Sequence, residues 1–354
     1  MHFFISDMGE LGTQRNAARS VGAKLARLGQ VMAAGYTVPR GFALDVAACR
    51  EALDDPDVAA AIESATAGIN IDSSPAELAR VRPSIQDALV RYTFPEELLE
   101  SLREACSGLG EGTPLAVRSS AVEEDAREAS FAGQFETTLG VIGFEAMLAA
   151  LLRCWSSPYS PGALAYRSRH GVTERAMPMS VGVMELVDAR VAGVAFSVHP
   201  VTRRHNRVVV EANWGLGETV VSGRVSPDHV VVGKTDLRIL EYTLGGKQRV
   251  VRYDPATGGL VDRPASAEES SVHCLSEEDA MFVAATTTDL ETLFGYPVDV
   301  EWALVDTPAG GGPGLVVLQV RPETVTENPV VMHTGYDPIR MILERTTRKP
   351  ATGG

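Results

Sequence analysis

Residues 115–140 read LAVRSSAVEEDAREASFAGQFETTLG. Leu115-Ala116-Val117 is an apolar run ending on Arg118-Ser119-Ser120, the pattern of a short buried strand that delivers an arginine to its end. Ser130-Phe131-Ala132-Gly133-Gln134 follows, with Glu136-Thr137-Thr138 behind it. A glycine among small and polar residues lets backbone N–H groups approach an anion, and nearby hydroxyls add bonds. A guanidinium fork beside such a loop suits a polyphosphate, because it grips oxygens bidentately. The same residues also read as a surface hairpin with an incidental arginine. The loop matches neither the Walker pattern nor G-x-G-x-x-G, so the stretch alone leaves both readings open.

Working outward, 354 residues are enough for two or three subdomains and a sizeable core. Apolar residues make up 45% and charged residues 22%, a globular balance. The net charge of −14 argues against a nucleic-acid or anionic-membrane surface. A polyanion site here must therefore concentrate its few cations or use a metal. Cys49, Cys106, Cys154 and Cys274 are far apart and form no C-x-x-C, which fits a reducing cytoplasm. MHFFISDMGELG has no basic n-region and no long apolar run, so no signal peptide is expected. No apolar stretch is long enough to span a bilayer.

Residues 1–20 read as polar and unpatterned. A helix opens at Val21-Gly22-Ala23-Lys24, continues through Leu25, Leu28, Val31 and Met32, and stops at Gly35. Gly41 to Leu44 is a strand, and Asp45 caps the next helix. Helices are expected near 57–67, 75–91 and 95–106, then at 143–155 and 160–170. Strands are expected at 179–187, 191–198, 207–212, 229–232, 238–244 and 248–253. Glu277 to Phe294 is a long helix, with Ser276 and Asp279 as a capping box. Residues 326–354 lose the pattern and read as a tail or linker.

A second constellation lies late in the chain. Val298-Asp299-Val300-Glu301-Trp302 alternates with period two, and Leu315 to Arg321 is a further strand carrying Gln319 and Arg321 on one face. A Gly/Pro-rich insert between them suggests a hairpin. Two carboxylates, an amide oxygen and an arginine can make a Mg²⁺–phosphate site, since magnesium takes one or two carboxylates and completes its shell from phosphate and water. A solvated hairpin face with a surface salt bridge is the competing reading. Lys24 and Glu211 are open in the same way: as contacts to phosphate and ribose, or as ordinary charges at element ends.

Six segments decide between these readings: VGAKLARLG (21–29), VPRGFAL (38–44), AVRSSAVEEDAREASFAGQFET (116–137), MELVDARVAGVAFSVHPVT (184–202), EANWGLGETVVSGRVSPD (211–228), and DVEWAL (299–304) followed by LQVRPET (318–324). Together they resemble the ATP-binding region of the phosphoenolpyruvate synthase and pyruvate phosphate dikinase family, which also includes rifamycin phosphotransferases. The resemblance covers roughly residues 15–325. It implies an α+β, ATP-grasp fold with two lobes, 1–183 and 184–325, holding ATP between them. It implies that Lys24 and Arg118 bind phosphates and that Gly133, Gln134 and Thr137 lie in the loop closing on the triphosphate. Glu185, Leu186 and Val187 would meet the adenine, and Glu211 the ribose. Glu301 and Gln319, with Asp299 beside them, would take Mg²⁺, and Arg321 matches the arginine of the family's Gln-x-Arg-Pro.

This chain departs from the pattern at Ala23 and Leu25, where relatives have glycines, and at Met184, where many have glutamine. Members of the family pass phosphate from ATP to a histidine on a swivelling domain. His2, His170, His199, His205, His229, His273 and His333 show none of that domain's Thr-Ser/Cys-His-Ala context. The expectation is therefore a catalytic ATP-binding subunit of a split phosphotransferase, similar in layout to the small subunit of phenylphosphate synthase. Its partner protein would supply the phosphohistidine and the acceptor site. Two alternatives stand beside it: an N-terminal fragment of a single-chain phosphoenolpyruvate synthase or rifamycin phosphotransferase, and an ATP-sensing regulatory module.

Overall fold

The computed structural model describes residues 5–12, 17–121, 125–126, 129–130, 136–170, 177–306 and 314–323. The chain divides into two compact units. The first comprises Met1–Val187, Tyr253–Leu260 and Val316–Val320; the second comprises Asp188–Arg252, Val261–Leu315 and Arg321–Gly354. Both mix helices with antiparallel sheet, so the fold is α+β. Among the described residues no helix is long and apolar enough to cross a membrane.

The first unit begins with β1 (Ile5–Asp7), α1 (Met8–Leu11) and α2 (Ala17–Ala33). Residues 1–20, unpatterned in sequence, thus hold a strand and a short helix. Met8 and Leu11 are both buried, and a Cβ on Gly12 would lie 2.3 Å from the carbonyl oxygen of Gly29. Two bare backbones let α1 press onto α2, a contact with no periodic signature. Then come β2 (Gly41–Leu44), α3 (Val46–Asp54), α4 (Pro56–Thr66), α5 (Pro75–Arg91) and α6 (Glu96–Leu109). The start of α5 follows from its sequence: Ser74 Oγ accepts from Glu77 N, and Glu77 Oε2 accepts from Ser74 N at 2.7 Å. A reciprocal cap of this kind contributes about 1 kcal/mol.

Next are β3 (Leu115–Ser120), β4 (Asp125–Ala126), β5 (Ala129–Ser130), β6 (Thr137–Val141), α7 (Phe144–Ser156), α8 (Pro161–Arg169) and β7 (Ser180–Glu185). The main sheet has the order β1-β2-β7-β3-β6, with β3 antiparallel to both its neighbours. Its core is built from Val117, Val181 and Val183 of the sheet and Leu151, Trp155 and Ile85 of the helices.

From Asp188 onward β8 (Val191–Phe196), β9 (Arg207–Trp214), α9 (Glu218–Val221), β10 (Asp228–Gly233) and β11 (Ile239–Thr243) are followed by β12 (Arg249–Asp254), β13 (Gly259–Pro264), α10 (Ala267–Ser271), α11 (Glu277–Phe294), β14 (Val298–Val305) and β15 (Gly314–Pro322), of which Tyr253–Leu260 and Val316–Val320 group with the first unit. The sheet order is β11-β10-β9-β8-β14-β15. β12 and β13 make a separate two-stranded ribbon, and β13 has no counterpart among the expected strands. α11 has the bounds expected and ends at Gly295 in the left-handed conformation, φ 74°. Its capping box is only half formed. Ser276 Oγ accepts from Asp279 N at 3.0 Å, but the Asp279 carboxylate accepts from Arg190 Nη2 at 3.0 Å. A charged partner within reach is a stronger draw than a second backbone amide. The expected tail, 326–354, lies outside the described residues.

Candidate functional site

In the first unit the site residues gather at the end of β3. α2 is not one straight helix. Gly22 sits at φ 75°, ψ 164°, so a new helical segment starts at Ala23 and Lys24 is its second residue. The break is forced by proximity: a Cβ on Gly22 would lie 2.3 Å from Ser120 Oγ and 2.6 Å from Ser120 O. Only glycine allows both this φ and this approach. Lys24 is thereby set on a helical turn whose start abuts the last residue of β3.

Arg118 is the fourth residue of that strand and is 9% exposed. Its Nη1 donates to Leu318 O at 3.0 Å and its Nη2 to Gln319 Oε1, while its Nε is buried with no partner among the described residues. Gln319 is itself buried, and the neighbouring Val317 N–H donates to Thr37 O at 2.9 Å. Thr137 lies directly opposite Arg118 in the β3–β6 pairing. The structure thus joins Arg118, Thr137 and Gln319 in one cluster. Gly133 and Gln134 lie outside the described residues.

Sequence reasoning missed what holds Thr137 in place. Glu136, just before it, accepts from Arg82 Nη2 and pairs with Arg153 Nε at 3.7 Å. Its backbone oxygen accepts from Ser119 N at 3.2 Å. Arg82 also reaches Ser156 Oγ at 3.1 Å. No local pattern links an arginine on α5 to a glutamate 54 positions later.

Glu185 ends β7, and Leu186 and Val187 lead into the second unit. Arg40 Nε donates to Glu185 Oε1 at 3.0 Å, and Arg40 Nη2 to Leu109 O at 3.2 Å. Leu186 N donates to Pro114 O at 2.8 Å. The Glu185 side chain is therefore engaged by a cation of its own unit. Met184, beside it, is buried in the strand.

In the second unit the pairing registers align His229, Glu211, Val194 and Glu301 in one row across β10, β9, β8 and β14. The next row on the same face is Val231, Val209, Phe196 and Asp299. An apolar floor is thus flanked by acids. Asp299 is 3% exposed; its Oδ2 accepts from Arg321 Nε, and its Oδ1 is buried without a partner among the described residues. Burial pushes the Asp299 carboxyl above its usual range; Arg321 opposes this, and Glu301 and Glu211 add to it. The Arg321 guanidinium is held firmly protonated, chiefly by Asp299. Glu323 is pushed up to about 7, first by burial and then by Asp299. Glu211 is also buried, with Oε1 3.2 Å from His229 Nδ1 and Oε2 unpartnered among the described residues.

Among the described residues no group of three or more His, Cys, Asp or Glu side chains is placed to hold a metal by itself. The carboxylates of β14 in the second unit are, however, hard oxygen donors of the kind magnesium accepts when phosphate and water complete its shell, and the amide oxygen of Gln319, which groups with the first unit, is a donor of the same kind. Among the described residues, Asp299 Oδ1, Glu211 Oε2 and Arg118 Nε are buried polar atoms with no hydrogen-bond partner. His199 is not among these groups. Its Nδ1 accepts from the backbone amides of Val201 and Thr202, both at 3.3 Å, which makes it a loop-forming residue.

Residues 18–335 match the family model for the pyruvate phosphate dikinase AMP/ATP-binding domain. The phosphoenolpyruvate synthase of Aeropyrum pernix is 34% identical over 333 residues, covering 86% of this chain and 40% of that protein. The phosphoenolpyruvate synthase of Escherichia coli is 34% identical over 334 residues, 90% of this chain and 42% of that protein. The rifampicin phosphotransferase of Streptomyces sviceus is 34% identical over 316 residues, 86% of this chain and 34% of that protein. This chain spans less than half the length of each of these relatives.

Proposed function

This chain belongs to the pyruvate phosphate dikinase AMP/ATP-binding domain family, and we propose that it is the ATP-handling subunit of a dikinase-type phosphotransferase. It passes phosphate from Mg²⁺-ATP to a histidine on a partner subunit, for onward transfer to a small-molecule acceptor such as a phenol-like alcohol. The observation that supports the reading is the set of buried polar atoms that have no hydrogen-bond partner among the described residues at the family's positions: Arg118 Nε, Glu211 Oε2 and Asp299 Oδ1.

In this reading Lys24 and Arg118 bind the phosphates, with Gly133, Gln134 and Thr137 in the loop that closes on them. Glu185, Leu186 and Val187 meet the adenine, with the Glu185 carboxylate held by Arg40. Asp299, Glu301 and Gln319 hold Mg²⁺, and Arg321 orients Asp299. The ion supplies positive charge against the phosphate oxygens during transfer. The side chains argued here offer cations, amides and metal ligands, and the nucleophile comes from elsewhere.

A second reading has a specific observation behind it. The relatives are more than twice as long as the stretch they share with this chain, so the same domain also fits as one part of a longer single-chain phosphoenolpyruvate synthase or rifampicin phosphotransferase. Both readings predict Mg²⁺-dependent ATP binding by the 354-residue chain. Calorimetry with and without Mg²⁺ measures it, and Glu301→Ala should reduce turnover in the complete enzyme more than it reduces nucleotide affinity. Radiolabelled ATP then tests the transfer step. Acid-labile label on this chain without a partner would overturn the partner-histidine reading. ATP binding with no transfer to any histidine would leave the ATP-sensing reading.

A further inference from the structure

Glu211 is a buried acid with only one of its two oxygens employed. Its Oε1 lies 3.2 Å from His229 Nδ1, and its Oε2 is buried with no partner among the described residues. The two residues face each other directly in the β9–β10 pairing. Next across the sheet is Val194, and the following row brings Val231, Val209 and Phe196, all buried. These neighbours offer nothing to hydrogen-bond. An unfilled carboxylate oxygen above an apolar floor is costly, so the free side of Glu211 calls for a donor from a ligand.

We infer that His229 is a positioning residue for Glu211 and, through it, sets the domain's selection for the ribose diol of its nucleotide. The inference rests on the nucleotide reading above and adds a residue that the family motifs do not assign. An ionised carboxylate only accepts, so the shared hydrogen is on His229 Nδ1, which fixes the tautomer of the ring. That bond leaves Glu211 Oε2 presented at one orientation. Vicinal ribose hydroxyls are donors suited to it, and a deoxyribose leaves the oxygen unfilled. Sites that hydrogen-bond a substrate hydroxyl reject the analogue lacking it far more strongly than apolar pockets reject a missing methylene. Without His229 the carboxylate is free to rotate, and the discrimination falls even though Glu211 remains.

The test is calorimetric titration of the 354-residue chain with ATP, 2′-deoxyATP and 3′-deoxyATP, each with Mg²⁺. Wild type, His229→Leu, His229→Asn, Glu211→Gln and the double variant His229→Leu/Glu211→Gln are compared, with a thermal melt on each. Wild type should prefer ATP over at least one deoxy analogue by roughly 10-fold or more, the loss expected for one hydrogen bond to a charged group. His229→Leu should cut that ratio to within about threefold, as Glu211→Gln does, and the double variant should be no worse than either single change. His229→Asn, whose amide N–H takes the place of Nδ1–H, should restore the ratio. A folded His229→Leu with the wild-type ratio overturns the inference. If the leucine variant does not fold, a folded His229→Asn with its discrimination lost overturns it instead. Wild type that binds ATP without discriminating refutes the inference alone. Wild type that binds no nucleotide refutes the functional reading together with it.

Discussion

Arg118 Nη2 donates to the side-chain carbonyl of Gln319, 201 residues further along the chain, and Arg118 Nη1 donates to Leu318 O at 3.0 Å. Both side chains are buried. One planar fork therefore holds the amide proposed to serve the metal and the backbone beside it, while its Nε is buried with no hydrogen-bond partner among the described residues. Gln319 Oε1 has two lone pairs, so accepting from Arg118 does not preclude a metal on the other.

Arg118→Lys should disrupt this arrangement, because an ammonium cannot make two diverging bonds from fixed positions. The expected cost is about 1–3 kcal/mol of unfolding free energy, together with weaker binding of Mg²⁺-ATP. Gln319→Leu leaves a buried guanidinium N–H unpaired and should cost a similar amount. Urea titrations of both variants and the double variant would give the coupling. Strictly additive losses would show that the two side chains do not act together.

Gly22→Ala should be among the more damaging single-methyl additions in the first unit. Its φ of 75° belongs to glycine, and the new Cβ would meet Ser120 Oγ at 2.3 Å and Ser120 C at 2.7 Å. Backbone atoms cannot move aside as a flexible side chain can, so a loss of about 2–4 kcal/mol is expected. Gly35→Ala is the control: its φ is 93° but nothing lies within 4 Å of the added carbon. Equal shifts in the urea midpoint for the two variants would contradict the close approach of α2 to the end of β3.

His199 should make stability fall on mild acidification. Burial lowers its pKa from the ordinary 6.5, with His229 and Arg207 adding to the shift and Glu241 opposing it. The unfolded chain then takes up the proton first as pH falls. The neutral ring's contribution is complete above about pH 6.5 and is lost progressively as pH drops toward the lowered folded value. His199→Asn keeps an acceptor for the amides of Val201 and Thr202 and removes the titration. Its stability should therefore change less than that of wild type between about pH 7 and pH 5. Parallel pH curves in chemical denaturation would refute this role for His199.

Local elements are largely legible in the amino-acid order. The helix expected at 277–294 is Glu277–Phe294, and the one expected at 75–91 is Pro75–Arg91. Caps and apolar periodicity act within a turn or two of the chain, so the order of residues by itself determined them. The six family segments likewise determined that this is an ATP-binding domain of the dikinase family. Some elements were not legible: β1 and α1 carry too few residues for a period to show, and β13, GLVDRP, has no apolar–polar alternation. Tertiary structure alone decided the break at Gly22, because the reason for it is Ser120, almost a hundred residues away. It alone paired Arg82 with Glu136, Arg40 with Glu185 and His229 with Glu211. Charged side chains take partners by distance in space, and chain separation leaves no trace of that in a periodic pattern. Chain order likewise does not show that Tyr253–Leu260 and Val316–Val320 group with the first unit. A buried strand joins whichever sheet and side chains satisfy its polar groups.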